Sequence, residues 1–141
     1  MERSRVMILV VLAIALTACG GPQSTVKEVS LDAQDITFSA DTLEVTAGQP
    51  VKLTLNNTGA LEHDFSIIEI PLAKIAEQSD PMGGHDMSGI AVEPELHVAA
   101  SPGDSATIEF TPTKAGTYEF FCTTAGHKEA GMIGTLVVRE P

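Results

Sequence analysis

Short runs of β-branched and aromatic residues recur along the chain, and turn-forming residues separate them. Seven such runs are 36–40, 43–47, 51–57, 63–70, 105–111, 117–121 and 134–138. The intervening segments include AGQP, NNTG, SPGD and TKAG, whose glycine, proline and asparagine residues favour tight turns. Many short strands spaced in this way are typical of an antiparallel sandwich or barrel. We therefore predict an all-β domain.

One segment interrupts this rhythm. Residues 71–94 contain three prolines and three glycines, and the segment is too long for a tight connection between strands. We predict a long loop insertion at about 71–94, with one helical turn from Leu72 to Gln78. Loops of this length in compact domains are commonly functional or disordered.

The first 18 residues have the features of an export signal. Two arginines precede VMILVVLAIALTA, an apolar run of 13 residues, whereas a membrane-spanning helix needs about 20. The run ends in LTAC, which resembles the lipobox of bacterial lipoproteins, where the signal is cut before a lipid-bearing cysteine. We predict a signal peptide over 1–18, lipidation of Cys19, a tether over 19–30 and a domain over 31–141. The alternatives are an ordinary signal cut near Ala18 and an uncleaved anchor.

The charge of the chain limits its partners. Without residues 1–18, 6 basic and 18 acidic residues remain, and the net charge is −12. This charge argues against nucleic acid, whose phosphates bind basic proteins. It favours a protein partner with a basic docking surface, although the same acidic residues also serve solubility. We expect a monomer, anchored by lipid at the outer face of the cytoplasmic membrane or in the periplasm.

Export leaves one cysteine to be explained. If Cys19 carries a lipid, Cys122 is a single thiol in an oxidising compartment. It is then an inert buried thiol, an intermolecular bridge, a nucleophile or a metal ligand. Strand alternation places Tyr118, Phe120 and Cys122 on one face, so we predict that Cys122 points into the protein at the end of a strand.

The residues after Cys122 favour the metal-ligand interpretation. His127 and Met132 follow at intervals of five residues, separated by turns, before the chain resumes a strand at 134–138. Thiolate, imidazole and thioether groups together select copper over hard cations. Structural zinc sites use four cysteine or histidine ligands, and this sequence has no CxxC pair.

A blue copper site also needs a second histidine, because its usual ligand set is two histidines and a cysteine with a weak axial methionine. His63 is the best candidate, since it lies where a turn-rich segment joins a strand. His97 is interpreted as a structural strand residue. His85 lies within the long loop.

Together these residues resemble the cupredoxins, the small blue copper proteins. In that family one histidine lies far upstream of a cysteine, a histidine and a methionine in a single loop, and here YEFFC, AGH and GMIGTL match closely. The resemblance covers roughly 35–140 and is nearest to auracyanin-like members. It implies a Greek-key β-sandwich that binds one copper per chain through His63, Cys122, His127 and Met132.

The chain departs from the family pattern directly after the upstream histidine. Many members have asparagine there, whereas this chain has Asp64. A carboxylate can accept a hydrogen bond from Thr123 or a backbone amide, but it cannot donate one. We expect Asp64 and Thr123 to surround the site, and the change from asparagine to shift the redox potential.

The resemblance implies an electron-transfer protein and no enzyme. Four protein ligands leave no position for a substrate, and a multicopper enzyme would need more than the four histidines of this chain. His127 would be the exit for the electron. Small neighbouring residues would form an electron-exit patch, consisting of Ala125, Gly126, Ala130 and Gly131.

The alternative function is an exported copper chaperone or copper-scavenging module. It gains support from MGGHDM in the long loop, where thioether and imidazole groups lie within six residues. Met82, His85 and Met87 are the candidate ligands of a weak second copper site.

Overall fold

The computed structural model describes residues 25–79 and 92–141. Within these ranges the chain forms ten β-strands and no helix. The strands are β1 (Lys27–Gln34), β2 (Thr37–Phe38), β3 (Thr42–Thr46), β4 (Val51–Asn57), β5 (His63–Ile67), β6 (Leu72–Ser79), β7 (Leu96–Ala100), β8 (Ser105–Pro112), β9 (Gly116–Phe121) and β10 (Ile133–Arg139). No helix in the described ranges is long and apolar enough to cross a membrane.

The strands form two five-stranded sheets, with the orders β2-β1-β4-β8-β6 and β3-β10-β9-β5-β7. Neighbouring strands are antiparallel except for two parallel pairs, β1 with β4 and β3 with β10. Buried and partly exposed residues alternate along β4 and β8, as expected for strands with one face on a core. The predicted all-β sandwich is therefore confirmed.

The long segment begins differently from the prediction. The prediction of a helical turn from Leu72 to Gln78 is wrong, and so is the prediction that the loop starts at 71. Leu72–Ser79 instead form β6, which pairs with β8. The register shifts twice, between Leu72 and Lys74 and between Ile75 and Glu77, so the hydrophobic period of a regular strand is absent from the sequence. Pairing with β8 outweighs a weak local helix propensity.

Several sequence predictions fall outside the described residues. These are the signal peptide over 1–18, the lipidation of Cys19, and the second metal site of Met82, His85 and Met87. The tether was predicted to extend to residue 30, whereas β1 begins at Lys27 and pairs in parallel with β4 as far as Ala33.

Phe120 is a buried core residue that contacts two other aromatic rings. Its ring lies 5.3 Å from that of Phe38 and 5.0 Å from that of Phe65, measured between centroids. Gly134 is directly opposite Phe120 in the β9–β10 ladder, and a Cβ atom on Gly134 would collide with the Phe120 ring. A glycine is therefore required at this position for the aromatic ring to lie against the strand.

Replacement of Gly134 by alanine should destabilise the fold by about 1–3 kcal/mol, because the methyl group would displace a buried ring. Urea unfolding of the metal-free protein measures this change. A smaller side chain at position 120 should reduce this loss of stability, so Gly134→Ala should be less destabilising in a Phe120→Leu background. Equal stability of Gly134→Ala and the parent protein would show that this packing is not restrictive.

Candidate metal centre

Strand ends bring the predicted ligands together. His63 is the first residue of β5 and Cys122 directly follows β9. These two strands are neighbours, with Ser66 paired to Phe121. His127 lies in the loop between β9 and β10. The topology therefore places an upstream histidine beside a loop that lies about sixty residues later in the sequence.

Backbone hydrogen bonds fix the loop that carries the other candidate ligands. The Cys122 amide donates to the Met132 carbonyl (3.1 Å), and the Met132 amide donates to the His127 carbonyl (2.9 Å). Gly126 and Gly131 have φ values of +83° and +101°, a region that favours glycine. Each glycine allows a turn, and this explains the five-residue spacing of cysteine, histidine and methionine.

Three donor atoms converge at this point. The Cys122 Sγ atom lies 3.9 Å from His63 Nδ1 and 3.5 Å from His127 Nδ1, and the three candidate donors lie within 4.8 Å of one another. Metal bonds of about 2.0 Å to nitrogen and 2.3 Å to sulfur, at tetrahedral to trigonal angles, would separate the sulfur from each nitrogen by about 3.5–3.7 Å. The donor set therefore fits a single metal ion with little rearrangement.

All of the predicted ligands are shielded from water. His63, Cys122 and Met132 have no exposed surface, and the side chain of His127 reaches it only at its edge, with 5% exposed. The backbone of Met132 makes hydrogen bonds to the backbones of both Cys122 and His127. Axial contact of its sulfur with a metal stays a prediction.

The loop that delivers His63 is held by a residue that the sequence did not single out. Asn57 is buried, and its side-chain amide donates to the carbonyls of Leu61 (2.7 Å) and Ala100 (2.8 Å). Its side-chain oxygen accepts a hydrogen bond from the Gly59 amide (3.0 Å). The NNTG motif signalled a turn, but the contact with Ala100 depends on the fold.

Asp64 ties β5 to the ligand loop, as expected from its place after His63. Its fully buried carboxylate accepts hydrogen bonds from the Thr123 amide (2.9 Å) and from Thr123 Oγ1 (2.8 Å). Ser66 Oγ donates to the same carboxylate (2.8 Å). Cys122 Sγ lies 3.5 Å from Asp64 Oδ2, so an acidic group borders the candidate ligand.

His97 lies outside the donor cluster. It is on β7, where its Nδ1 atom is 2.8 Å from Ser66 Oγ and 3.9 Å from Asp64 Oδ1. These contacts agree with the interpretation of His97 as a structural residue. They also place His97 next to Ser66 and Asp64, in the hydrogen bonds that surround the Asp64 carboxylate.

Burial sets the protonation of the metal-free site. It lowers the pKa of His63, with a further contribution from His127. Burial and the neighbouring Asp64 raise the pKa of the Cys122 thiol to about 11. The metal-free protein at neutral pH therefore holds a neutral His63 and a protonated Cys122.

Binding of Cu(I) at pH 7–9 should consequently release about one proton per copper, because a thiol with a pKa of about 11 must deprotonate to become a ligand. Apparent affinity should rise about tenfold per pH unit over this range, since the proton competes with the metal at every pH below the thiol pKa. Calorimetry in buffers of different ionisation enthalpy counts the protons. Binding without proton release would contradict a protonated Cys122 ligand.

The predicted electron-exit patch is at the surface. Ala125, Gly126, Ala130 and Gly131 are all exposed around His127. Two larger exposed apolar residues lie next to predicted ligands in the sequence and were not predicted: Leu61, two residues before His63, is 46% exposed, and Ile133, directly after Met132, is 40% exposed. Leu61 lies in the loop before β5 and Ile133 begins β10, and the sequence pattern alone did not mark either residue as exposed.

Comparison with known proteins decides the family. Residues 25–139 match the family of copper binding proteins described as plastocyanin/azurin. The chain is a cupredoxin. With the His63–Cys122–His127 cluster, this assigns copper as its cofactor, and the donor set fits one ion.

The relatives of this cupredoxin include a protein named for copper resistance and an auracyanin. It is 36% identical over 117 residues to the copper-resistant cuproprotein CopI of Rubrivivax gelatinosus, covering 83% of this chain and 67% of the relative. It is 31% identical over 160 residues to auracyanin-A of Chloroflexus aurantiacus, covering 95% and 96% of the two chains. The solved structure of auracyanin A, a blue copper protein, superposes with a TM-score of 0.61 at 20% identity, covering 82% of this chain and all of the other.

Proposed function

We propose that this cupredoxin is a type 1 copper electron-transfer protein with His63, Cys122, His127 and Met132 as its four ligands. The observation that carries the proposal is the convergence of three buried donor atoms within 4.8 Å, with the buried Met132 in the same loop. When bound, copper supplies a one-electron Cu(I)/Cu(II) couple, and this ligand set is the one that blue copper sites use.

The surrounding protein suits electron transfer better than catalysis. Four ligands leave no open position for a substrate, so we expect no enzymatic activity. The hydrogen bonds from Cys122 to Met132 and from Met132 to His127 hold the loop, while Asp64 joins it to β5. A site fixed in this way rearranges little between oxidation states.

The electron would leave through His127 and the electron-exit patch. The small residues of the patch let a partner approach the imidazole edge closely. Glu62 directly precedes His63, and Glu129 lies two residues after His127. Lys128, in the same loop, is paired with Glu119 at 2.7 Å. This distribution supports redox partners with a basic docking surface, because complementary charge accelerates encounter.

The second candidate function is copper delivery or scavenging. It is favoured by the 36% identity to a protein named for copper resistance. A chaperone must release its copper to an acceptor, whereas an electron carrier must retain it in both oxidation states. The two functions therefore differ in what happens to the bound metal during a redox cycle.

Export and lipid anchoring complete the proposal, on the basis of the leader sequence and Cys19. β1 starts with Lys27 beside Val51 and reaches Ala33 beside Asn57, and Asn57 holds the loop that leads to His63. The tether would thus join the domain at the start of β1, about 20 Å from the end of β1 that lies near the copper ligands. An anchored protein would present its electron-exit patch away from the membrane.

Repeated redox cycling with a Cu(I) chelator present tests the proposal. The copper-loaded protein is reduced, exposed to the chelator, reoxidised and then assayed for bound copper. Retention of nearly all copper over several cycles is expected for an electron carrier. Quantitative loss to the chelator on the first reduction would overturn this function and support the chaperone.

A further inference from the structure

One nitrogen of the copper site has no role in the ligand set. His63 directs its Nδ1 atom toward Cys122, and its Nε2 atom is buried with no hydrogen-bond partner among the described residues. His63 itself has no exposed surface. A buried polar atom without a partner is costly, and a metal-bound histidine usually donates its second N–H to a carboxylate, a carbonyl or water.

The turn between β1 and β2 brings a carboxylate to the same region. This turn consists of Asp35 and Ile36, because Gln34 pairs with Thr37. Ile36 has a φ of +63°, which is a strained conformation for a β-branched residue. Asp35 Oδ1 accepts a hydrogen bond from the Ala60 amide at 2.8 Å, so the carboxylate is fixed against the loop that leads to His63.

Gly59 keeps the space between the two groups open. A Cβ atom on Gly59 would lie 2.9 Å from Asp35 Oδ1 and 3.1 Å from His63 Nε2. Both polar atoms therefore border one small space, which any larger residue at position 59 would fill. Asp35 is also one of the charged groups that act on His63 electrostatically.

We infer that Asp35 is a positioning residue for the copper site and that, when metal binds, a small shift of its carboxylate into the space left by Gly59 lets it accept the Nε2–H of His63. The inference rests on the proposed function only in taking His63 as a ligand. Asp35 would hold the proton on Nε2 and leave the Nδ1 lone pair for copper. Its negative charge would favour Cu(II) over Cu(I).

The test uses Asp35→Asn, which keeps an oxygen for the Ala60 amide but removes the charge. The matched control is Glu28→Gln. It removes one exposed carboxylate near the start of β1, about 20 Å from Asp35. Gly59→Ala is the second variant, since it fills the space and leaves both polar groups in the chain. The first readout is solvent exchange of the His63 Nε2–H, measured by nitrogen NMR on the Zn(II)-loaded protein, and the second is the copper potential.

Asp35→Asn and Gly59→Ala should each accelerate Nε2–H exchange at least severalfold, while Glu28→Gln should not. Cu(II) affinity of Asp35→Asn should fall by about tenfold, the low end for an outer carboxylate partner. If Cu(I) affinity is unchanged, the potential rises by about 59 mV. Exchange in Asp35→Asn equal to that in Glu28→Gln would overturn the inference, whatever the potential does. Loss of copper during redox cycling of the parent would overturn the proposed function, while the Zn(II) exchange comparison would still decide the role of Asp35.

Discussion

Replacement of Cys122 by serine should abolish the blue colour of the copper-loaded protein. The thiolate supplies the charge-transfer absorption of a blue copper site, and its sulfur lies 3.5 Å and 3.9 Å from the two histidine nitrogens. A serine hydroxyl provides a harder and weaker ligand at the same point. Cu(II) affinity should fall by more than the roughly 100-fold that loss of an outer partner causes. Absorption spectra and competitive Cu(II) titration measure the two effects.

Thr124→Ser provides the matched control for this change. Thr124 lies two residues after Cys122, and its hydroxyl donates to the Glu62 carbonyl at 3.2 Å. Serine can make the same bond, so the control should retain the colour and bind copper. A Cys122→Ser protein that kept an intense red absorption would remove Cys122 from the site.

Replacement of Asp64 by asparagine should raise the reduction potential substantially. Thr123 and Ser66 donate hydrogen bonds to this carboxylate, the acceptor pattern of an ionised group. Its Oδ2 atom is 3.5 Å from Cys122 Sγ, so its charge favours Cu(II). A unit charge about 5 Å away at an effective dielectric constant of 20 contributes about 3 kcal/mol, which corresponds to a rise on the order of 100 mV.

Thr123→Val separates the charge of Asp64 from its hydrogen bonding. This variant loses the Thr123 hydroxyl but keeps the carboxylate and the Thr123 amide that binds it. Its potential should move much less than that of Asp64→Asn. Equal shifts in the two variants would show that loop positioning, not charge, controls the potential. A fall in the potential of Asp64→Asn would contradict the electrostatic account.

The candidate ligands could be identified from sequence because their chemistry is rare and their local spacing is rigid. One loop contains Cys122, His127 and Met132, and its glycines fix its turns. Residues five positions apart in this loop therefore lie close together. His63 was harder to place, since its approach to that loop depends on pairing between β5 and β9. Its position at a strand end was the available signal, and the structure agrees with it.

Features that depend on packing across the sheets were not predictable in this way. Asp35 and Gly59 meet His63 only because the β1–β2 turn lies against the loop before β5. Asn57 reads as a turn residue in the sequence, although its side chain bonds to Ala100 on β7. β6 was missed for a related reason, as two register shifts remove the period of a regular strand from its sequence.

Spectroelectrochemical titration of the copper-loaded protein tests whether one copper, held by His63, Cys122, His127 and Met132, exchanges single electrons. We expect an intense red absorption that bleaches on reduction and returns fully on oxidation, following a one-electron Nernst curve of about 59 mV per decade. A copper-loaded protein without this band, or one whose band does not return on reoxidation, would not be a type 1 copper electron carrier.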